Sequence, residues 1–429
     1  MHEHTDVLVV GAGPVGLALA AFLGRRGVTS VVVERRSTPT PRDESRAITW
    51  MPEGLLAADA LGVTGDLRDR AVVRRHHDFL ARPGGATLLR LDMTALDHPH
   101  RCTLNLPQHD TEEVLEAAAS ATGRTVVRRD VRVVAVESRP DGVAAVLRGS
   151  DGTDTSVTAA FGVACDGAGS TRGGVAGMLG VGSRFRDYGM DSVVADLELD
   201  DDPWGPDRSW IALDASRPLG AFCFAPHRWR LVYRVDADET RAVATSPELV
   251  AEQLDRARAG TVARRLLWAS AFRLGQGQAD AYTAGRWALA GDAAHAMGPS
   301  AGAGMQVGVL GAWRLSDHLA GAVRSPASWP AAAQAYESAQ RRVSRTVQRS
   351  NARTFRAMAV TSPRAGAARA VALRGVGRVG PLVRRMTADA ALVGLAPTTP
   401  SRTRRPAPAP TTPSRTRHPA PASAERHDR

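Results

Sequence analysis

Between Asp6 and Arg36 the chain reads DVLVVGAGPVGLALAAFLGRRGVTSVVVERR, and few folds accommodate that stretch. Val7 to Val10 is a β-branched and aliphatic run of the length of a buried parallel strand. Gly11, Gly13 and Gly16 follow at once, at G-x-G-x-x-G spacing. Leu17 to Leu23 has the apolar character of a packed helix, and Gly24 to Gly27 closes it. Val31 to Val33 is a second buried strand, ending in Glu34. Strand, glycine turn, helix and strand in that order predict an α/β fold with a Rossmann-like sheet.

Each residue type has a chemical reason. Gly11 permits the tight turn, Gly13 lets backbone approach a pyrophosphate, and Gly16 lets helix pack on strand. The helix N-terminus offers free amides and a positive dipole end to phosphate. Glu34 can accept from both hydroxyls of an adenosine ribose. A 2′-phosphate would meet that carboxylate, so the firmly held nucleotide is expected to be FAD or NAD.

The chain has 429 residues, enough for two or three domains. No apolar run reaches the roughly 18 residues of a membrane helix. The N-terminus enters its first strand within a few residues, which argues against a signal peptide and for a cytoplasmic protein. Cys102, Cys165 and Cys223 are scattered, so neither a disulfide framework nor a metal centre is expected. All 55 Lys and Arg residues are arginine, which excludes Schiff-base chemistry and a Walker A site. The net charge of +11 is uneven: residues 338–429 hold 19 arginines against three acids, a net +16, leaving −5 for the rest.

Along the chain, Ser37 to Ala47 is a polar loop able to fold over a ligand, with Arg46 nearest it, and Glu53 to Leu61 is a helix stopped by Gly62. Ala71 to Leu80 and Ala86 to Leu91 form a predicted hairpin around Pro83-Gly84-Gly85, with His76 and His77 facing opposite ways. Thr111 to Ala121 is a predicted helix with Thr111 as N-cap. Val126 to Glu137 and Gly142 to Arg148 form a predicted β-pair, and Phe161 to Cys165 a strand ending in DGAGSTR. From Asp191 to Val235 four strands follow one another without helices, which predicts an antiparallel sheet. Its aromatics are expected to supply core and a pocket for a flat apolar ligand. A helix over Pro247 to Ala257 and a strand over Arg286 to Ala290 precede GDAAHAMGPSAGAGMQVGV and a helix through Leu319.

Taken together, GAGPVG, Glu34, CDGAGSTR and the late GD turn resemble the FAD-dependent group A aromatic monooxygenases, the para-hydroxybenzoate hydroxylase-like family, over roughly residues 5 to 345. The resemblance implies roles. Gly11, Gly13, Pro14 and Gly16 would hold the FAD pyrophosphate, and Glu34 the adenosine ribose with Arg35 beside it. Arg46 and Gln108 would lie along the cofactor, and the Val131 backbone would meet the adenine. Asp166 and Gly167 match a DG motif associated with FAD and NAD(P)H. Asp292 would bind the ribityl chain, and Pro299, Gly302, Gly304 and Met305 would flank the isoalloxazine. Ala301, Gln306 and Gly311 depart from the family's usual Gly, Asn and Asp.

The implied reaction is NAD(P)H- and O₂-dependent hydroxylation or epoxidation of an apolar, aromatic or polycyclic natural product through a C4a-hydroperoxyflavin, by a monomer or homodimer without nucleic-acid partners. The alternative is a reductase of the geranylgeranyl-reductase type. A flavin halogenase needs a lysine, which is missing. The expected division is a discontinuous FAD-binding domain (1–70, 100–185 and 268–328), an inserted antiparallel-sheet substrate domain (71–99 and 186–267), a C-terminal helical region (329–395) and a disordered Pro/Arg-rich tail (396–429). Within the helical region, Ala331 to Met358 reads as one long helix and Ala365 to Leu395 as a weakly helical, solvated stretch.

Overall fold

The opening apolar run becomes the His2–Val10 strand, whose Val7, Leu8 and Val9 are wholly buried. The computed structural model describes residues 2–298 and 302–397. His2–Val10 lies in parallel between Asp154–Ala164 and Ser30–Val33. Thr125–Arg128 extends the sheet beyond Ser30–Val33, and Trp287–Leu289 extends it beyond Asp154–Ala164. Burial on both faces explains why these strands are continuous in Val, Leu and Ala rather than alternating. The Pro14–Arg25 and Ala303–Arg324 helices pack together, with Phe22 and Trp313 stacked at 5.6 Å. The α/β expectation therefore holds.

Two predicted strands are each divided between two sheets. Val126 to Glu137 breaks at Asp130, whose φ is 61°. Thr125–Arg128 joins the parallel sheet, while Val131–Ser138 turns to pair antiparallel with Val143–Gly149. Ala71 to Leu80 divides at Arg75. Val72–Arg74 pairs with Thr103–Asn105 in a three-stranded sheet, and His76–Leu80 enters a seven-stranded one. Thr111 is not an N-cap: the helix begins at Gln108, and Thr111 Oγ1 accepts from the buried Trp50 indole at 3.2 Å.

The seven-stranded sheet runs in the order Ala263–Ala279, Ser183–Leu199, Arg228–Arg234, Leu219–Ala225, Arg208–Ala212, His76–Leu80, Thr87–Asp92. It is antiparallel as expected, except where Arg208–Ala212 lies parallel to His76–Leu80. One face buries Leu197, Trp229, Leu231 and Tyr233 against the Pro247–Ala257 helix residues Val250 and Leu254.

The C-terminal region forms helices over Trp329–Met358, Pro363–Gly377 and Gly380–Ala390. The last two keep most of their surface exposed, and each packs one apolar stripe. Leu373, Val376, Val383 and Met386 pack on Leu89 and Leu91 of the seven-stranded sheet's edge strand and on Met93 in the turn after it. Their apolar spacing is sparse among arginines, so the packed stripe is narrow. The described residues up to Ala396 form one compact unit. The predicted disordered tail lies outside the described residues from 398 onward, as do Pro299 and Ala301. Among the described residues no helix is long and apolar enough to cross a membrane.

Candidate active site

Three glycine-bearing turns leave adjacent parallel strands at the same end of the sheet. The Gly11 amide donates to Val33 O at 2.8 Å, the Cys165 amide to Val10 O at 2.7 Å, and the Ala290 amide to Ala164 O at 2.9 Å. Gly11 has φ 108°, and a Cβ there would lie 2.4 Å from Cys165 O and 3.2 Å from the Asp166 amide. A Cβ on Gly16 would sit 1.9 Å from Gly11 O, so this glycine is fixed by packing of helix against turn. A Cβ on Gly13 would meet no protein atom within 4 Å. The third turn closes on the first, because a Cβ on Gly291 or Gly308 would meet Val15 at 3.1 or 2.5 Å.

Two long helices begin at this end. Pro14–Arg25 follows Gly13, and Ala303–Arg324 follows Gly302 at φ 64°. Neither N-terminus has a side-chain cap, and neither carries an acid in its first turn. Their first amides thus stay available to an anion, with both dipoles adding positive potential.

Acceptors stand around them. Glu34 takes the Ala12 amide on Oε2 and the Arg36 amide on Oε1, both at 3.0 Å, which fixes its carboxylate beside the first turn. The Val131 amide donates to Glu34 O at 3.0 Å. Arg35 is exposed and acts electrostatically on Asp166. Asp166 Oδ2 accepts the Val175 amide at 2.9 Å, while Oδ1 is buried without a partner, and burial raises its pKa. Gly167 has φ 85° and open space around it. Asp292 turns its carboxylate into the cavity, 3.8 Å from where a Gly304 Cβ would lie. Asp292 is exposed on its cavity side, and the protein packed around the rest of it partly desolvates the carboxyl, which pushes it up to about 6.

Arg46 and Gln108 are arranged differently. Gln108 Oε1 accepts the Arg46 and Ala47 amides at 3.2 and 3.0 Å, and its Nε2 donates to Glu112 Oε1 at 2.8 Å. Its amide group is therefore spent on holding the Ser37–Ala47 loop. The Arg46 side chain is 72% exposed and pairs with Glu44 at 3.3 Å.

The third turn opens on a cavity of about 1520 Å³. Asp292, Gly302, Gly304, Met305 and Arg46 border it, whereas Gly11, Gly13, Gly16 and Glu34 lie outside its wall. Its far wall is the seven-stranded sheet, through Phe79, Ile211, Phe222 and Phe272. Phe355 of the long helix and Met386 and Leu392 of the C-terminal segment complete it. The sequence reading missed these last residues, whose only signal was a weak apolar spacing within an Arg-rich stretch.

Two of the family departures face away from the cavity. Gln306 is fully buried and donates from Nε2 to Thr49 O at 2.7 Å. It fits because residue 54 is glycine: a Cβ there would lie 1.7 Å from Gln306 Oε1. Gly311 makes room for Gln340, whose amide group meets Val307 O and the His295 ring. Among the described residues one acid–histidine cluster, His109, Asp110 and Glu113, has metal-like spacing, and Arg42 and Arg70 pair with its carboxylates.

A family model described as an FAD binding domain matches residues 4–350. The chain belongs to the FAD-binding-domain family. Within this family it is 31% identical, over 76% of its length, to the uncharacterized aromatic compound monooxygenase YhjG of Bacillus subtilis (strain 168). It is 29% identical, over 74% of its length, to the 12-dehydrotetracycline 5-monooxygenase/anhydrotetracycline 6-monooxygenase of Streptomyces rimosus. It spans 63% of the length of each of these curated relatives. Among solved members, the p-nitrophenol 4-monooxygenase PnpA of Pseudomonas putida DLL-E4 superposes with a TM-score of 0.82 at 27% identity, covering 90% of this chain and 98% of that one. The group A resemblance read from the motifs agrees with these relatives.

Proposed function

We propose that the chain is an FAD-dependent monooxygenase that uses NAD(P)H and O₂ to hydroxylate or epoxidise an apolar aromatic or polycyclic substrate. The observation that carries the reading is that two uncapped helix N-termini, one behind an open Gly13 and one on the wall of the large cavity beside the Asp292 carboxylate, are brought together by the packing of Val15 on Gly291 and Gly308. These groups fit FAD. Amides from Gly13, Pro14-led helix and Gly302–Met305 suit its phosphates and ring oxygens, and Glu34, Asp166 and Asp292 suit its hydroxyls. Gly11 and Gly16 keep the first turn close to the sheet, and Gly167 keeps the second open. Arg35 balances the acids, and Val131 borders the adenine end; a role for Pro299 beside the ring rests on the family resemblance alone. Arg46 lies along the cofactor, and Gln108 acts on it through the loop it holds.

When bound, FAD supplies electron transfer from NAD(P)H and activation of O₂. The chain's own part is to orient the substrate and exclude water. Phe79, Phe222 and Phe272 form an apolar wall, and Met386 and Leu392 close the opposite side. The segments that carry the parallel sheet form the cofactor domain, and those that carry the seven-stranded sheet the substrate domain, whose boundaries move from the expected 186 and 267 to 183 and 279 because Ser183–Leu199 and Ala263–Ala279 pair along their length. A cytoplasmic monomer or homodimer, supplied there with NAD(P)H, suits this chemistry. The relatives' names, an aromatic-compound monooxygenase and a tetracycline-pathway monooxygenase, support the substrate class.

The test is aerobic and anaerobic turnover of purified protein with NADPH and a panel of arenes. Flavin release on denaturation, and O₂ consumption that depends on the arene, are expected. Product formed without O₂ would favour a reductase and overturn the reading.

A further inference from the structure

Arg74 ends the Val72–Arg74 strand, on the cavity wall, and is only 5% exposed. Its Nη1 donates to Ser209 Oγ at 2.6 Å and lies 3.2 Å from His77 Nδ1, which is 2.7 Å from the same hydroxyl. Its Nε is buried and has no partner. Asp78, on the neighbouring strand, is held by Arg90 at 2.7 Å and Arg208 at 3.8 Å. Burial alone acts on the guanidinium and lowers it to about 10, so it stays charged at neutral pH. Burial and Arg74 together push His77 down to about 3, so its ring is neutral. A buried cation without a counter-charge is costly, and proteins keep one where a ligand supplies the missing charge.

The surroundings specify the ligand. His77 stacks on Phe222 at 5.9 Å and meets Phe79 edge-on at 5.0 Å, so the cation stands at the end of an aromatic slot. Among the described residues, the hydrogen-bond partners of the Arg74 guanidinium, His77 and Ser209, belong to the seven-stranded sheet. Among the described residues the cavity wall carries nine arginines and two acids, Asp292 and Asp389. Arg230, Arg234 and Arg273 are paired with Asp196, Asp236 and Asp187, whereas no carboxylate pairs with Arg74 among the described residues.

We propose that Arg74, oriented by Ser209 beside the neutral His77 ring, receives an anionic oxygen carried by the aromatic substrate, either a carboxylate or an ionised phenol or enol. This deepens the monooxygenase reading and rests on it only for what happens to the ligand after binding.

Calorimetric titration of flavin-loaded protein with 2-naphthoate, 2,4-dinitro-1-naphthol and neutral 2-naphthamide tests it. In the wild type at least one anion is expected to bind about tenfold or more tighter than the amide, as a charge-assisted hydrogen bond provides. The anion that wins identifies carboxylate or phenolate. Arg74→Met should bring all three ligands within about twofold, and Arg74→Lys should retain part of the preference. A wild type without anion preference, or an Arg74→Met protein that keeps it, overturns the proposal. If Arg74→Met does not fold, the wild-type comparison and Arg74→Lys still decide. An anion that binds tightly yet never provokes O₂ consumption counts against the monooxygenase reading and leaves the subsite standing. Turnover driven equally by neutral arenes counts against the subsite alone.

Discussion

Single residues at the first turn separate binding from folding. Gly13 has empty space where a side chain would go, so Gly13→Val should fold normally and lose its flavin. Flavin released per chain should fall at least tenfold, while the melting temperature of flavin-free protein stays that of the parent. Gly16→Ala should do the reverse. Its methyl would meet backbone at 1.9 Å, and the fold should lose about 1–3 kcal/mol or more in urea unfolding. Asp292 gives a prediction with a sign. Its folded-state pKa of about 6 lies above the ordinary 3.8, so the folded chain holds this proton more tightly. Its contribution favours folding below the ordinary value and is lost as pH rises through about 6. Flavin-free Asp292→Asn should therefore melt with the parent near pH 4 and above it near pH 8. The glycine logic was legible in sequence because it depends on atoms a few positions apart. Arg74 was not, because its meaning depends on Ser209 and His77, brought to it by another sheet.

At the scale of elements, long apolar runs announced themselves and their interruptions did not. Val126 to Glu137 looks uniform, yet a left-handed Asp130 sends its halves into different sheets. The His77 run is also divided, at Arg75, between two sheets, without a left-handed residue. Neither break carries a glycine or proline, the usual local signal. The pairing of the three-stranded sheet with the Ala303–Arg324 helix is equally hidden. It depends on Gln306 reaching Thr49 O across a gap that Gly54 leaves. Gly54→Ala should destabilise the parent by about 1–3 kcal/mol. The same change should cost much less in a Gln306→Ala background. A double-mutant cycle with coupling below about 0.5 kcal/mol would show that the two positions are independent.

For the molecule as a whole, one buried ion pair ties the far sheet to the loop beside the glycine turns. Arg230 grips Asp196 at 2.8 Å and also donates to Ser45 O and Arg46 O. Asp196→Ala leaves that guanidinium without its counter-charge. Urea unfolding should report a loss of about 3–5 kcal/mol. The C-terminal helices close the cavity from another side through Met386, Asp389 and Leu392. A chain ending at residue 359 should keep its flavin but admit water, so most NADPH oxidation should yield H₂O₂ rather than product. Product yield equal to the parent's would show that the closure has no such role. The two uncapped helix starts have a consequence outside the reaction. They set two positive poles side by side, a mutual repulsion that an anionic guest removes. Occupancy at a hundred times the dissociation constant adds about 2.7 kcal/mol to stability. The standing pool of this protein in a cell should therefore follow riboflavin supply, with copies made during vitamin starvation lost first to proteolysis.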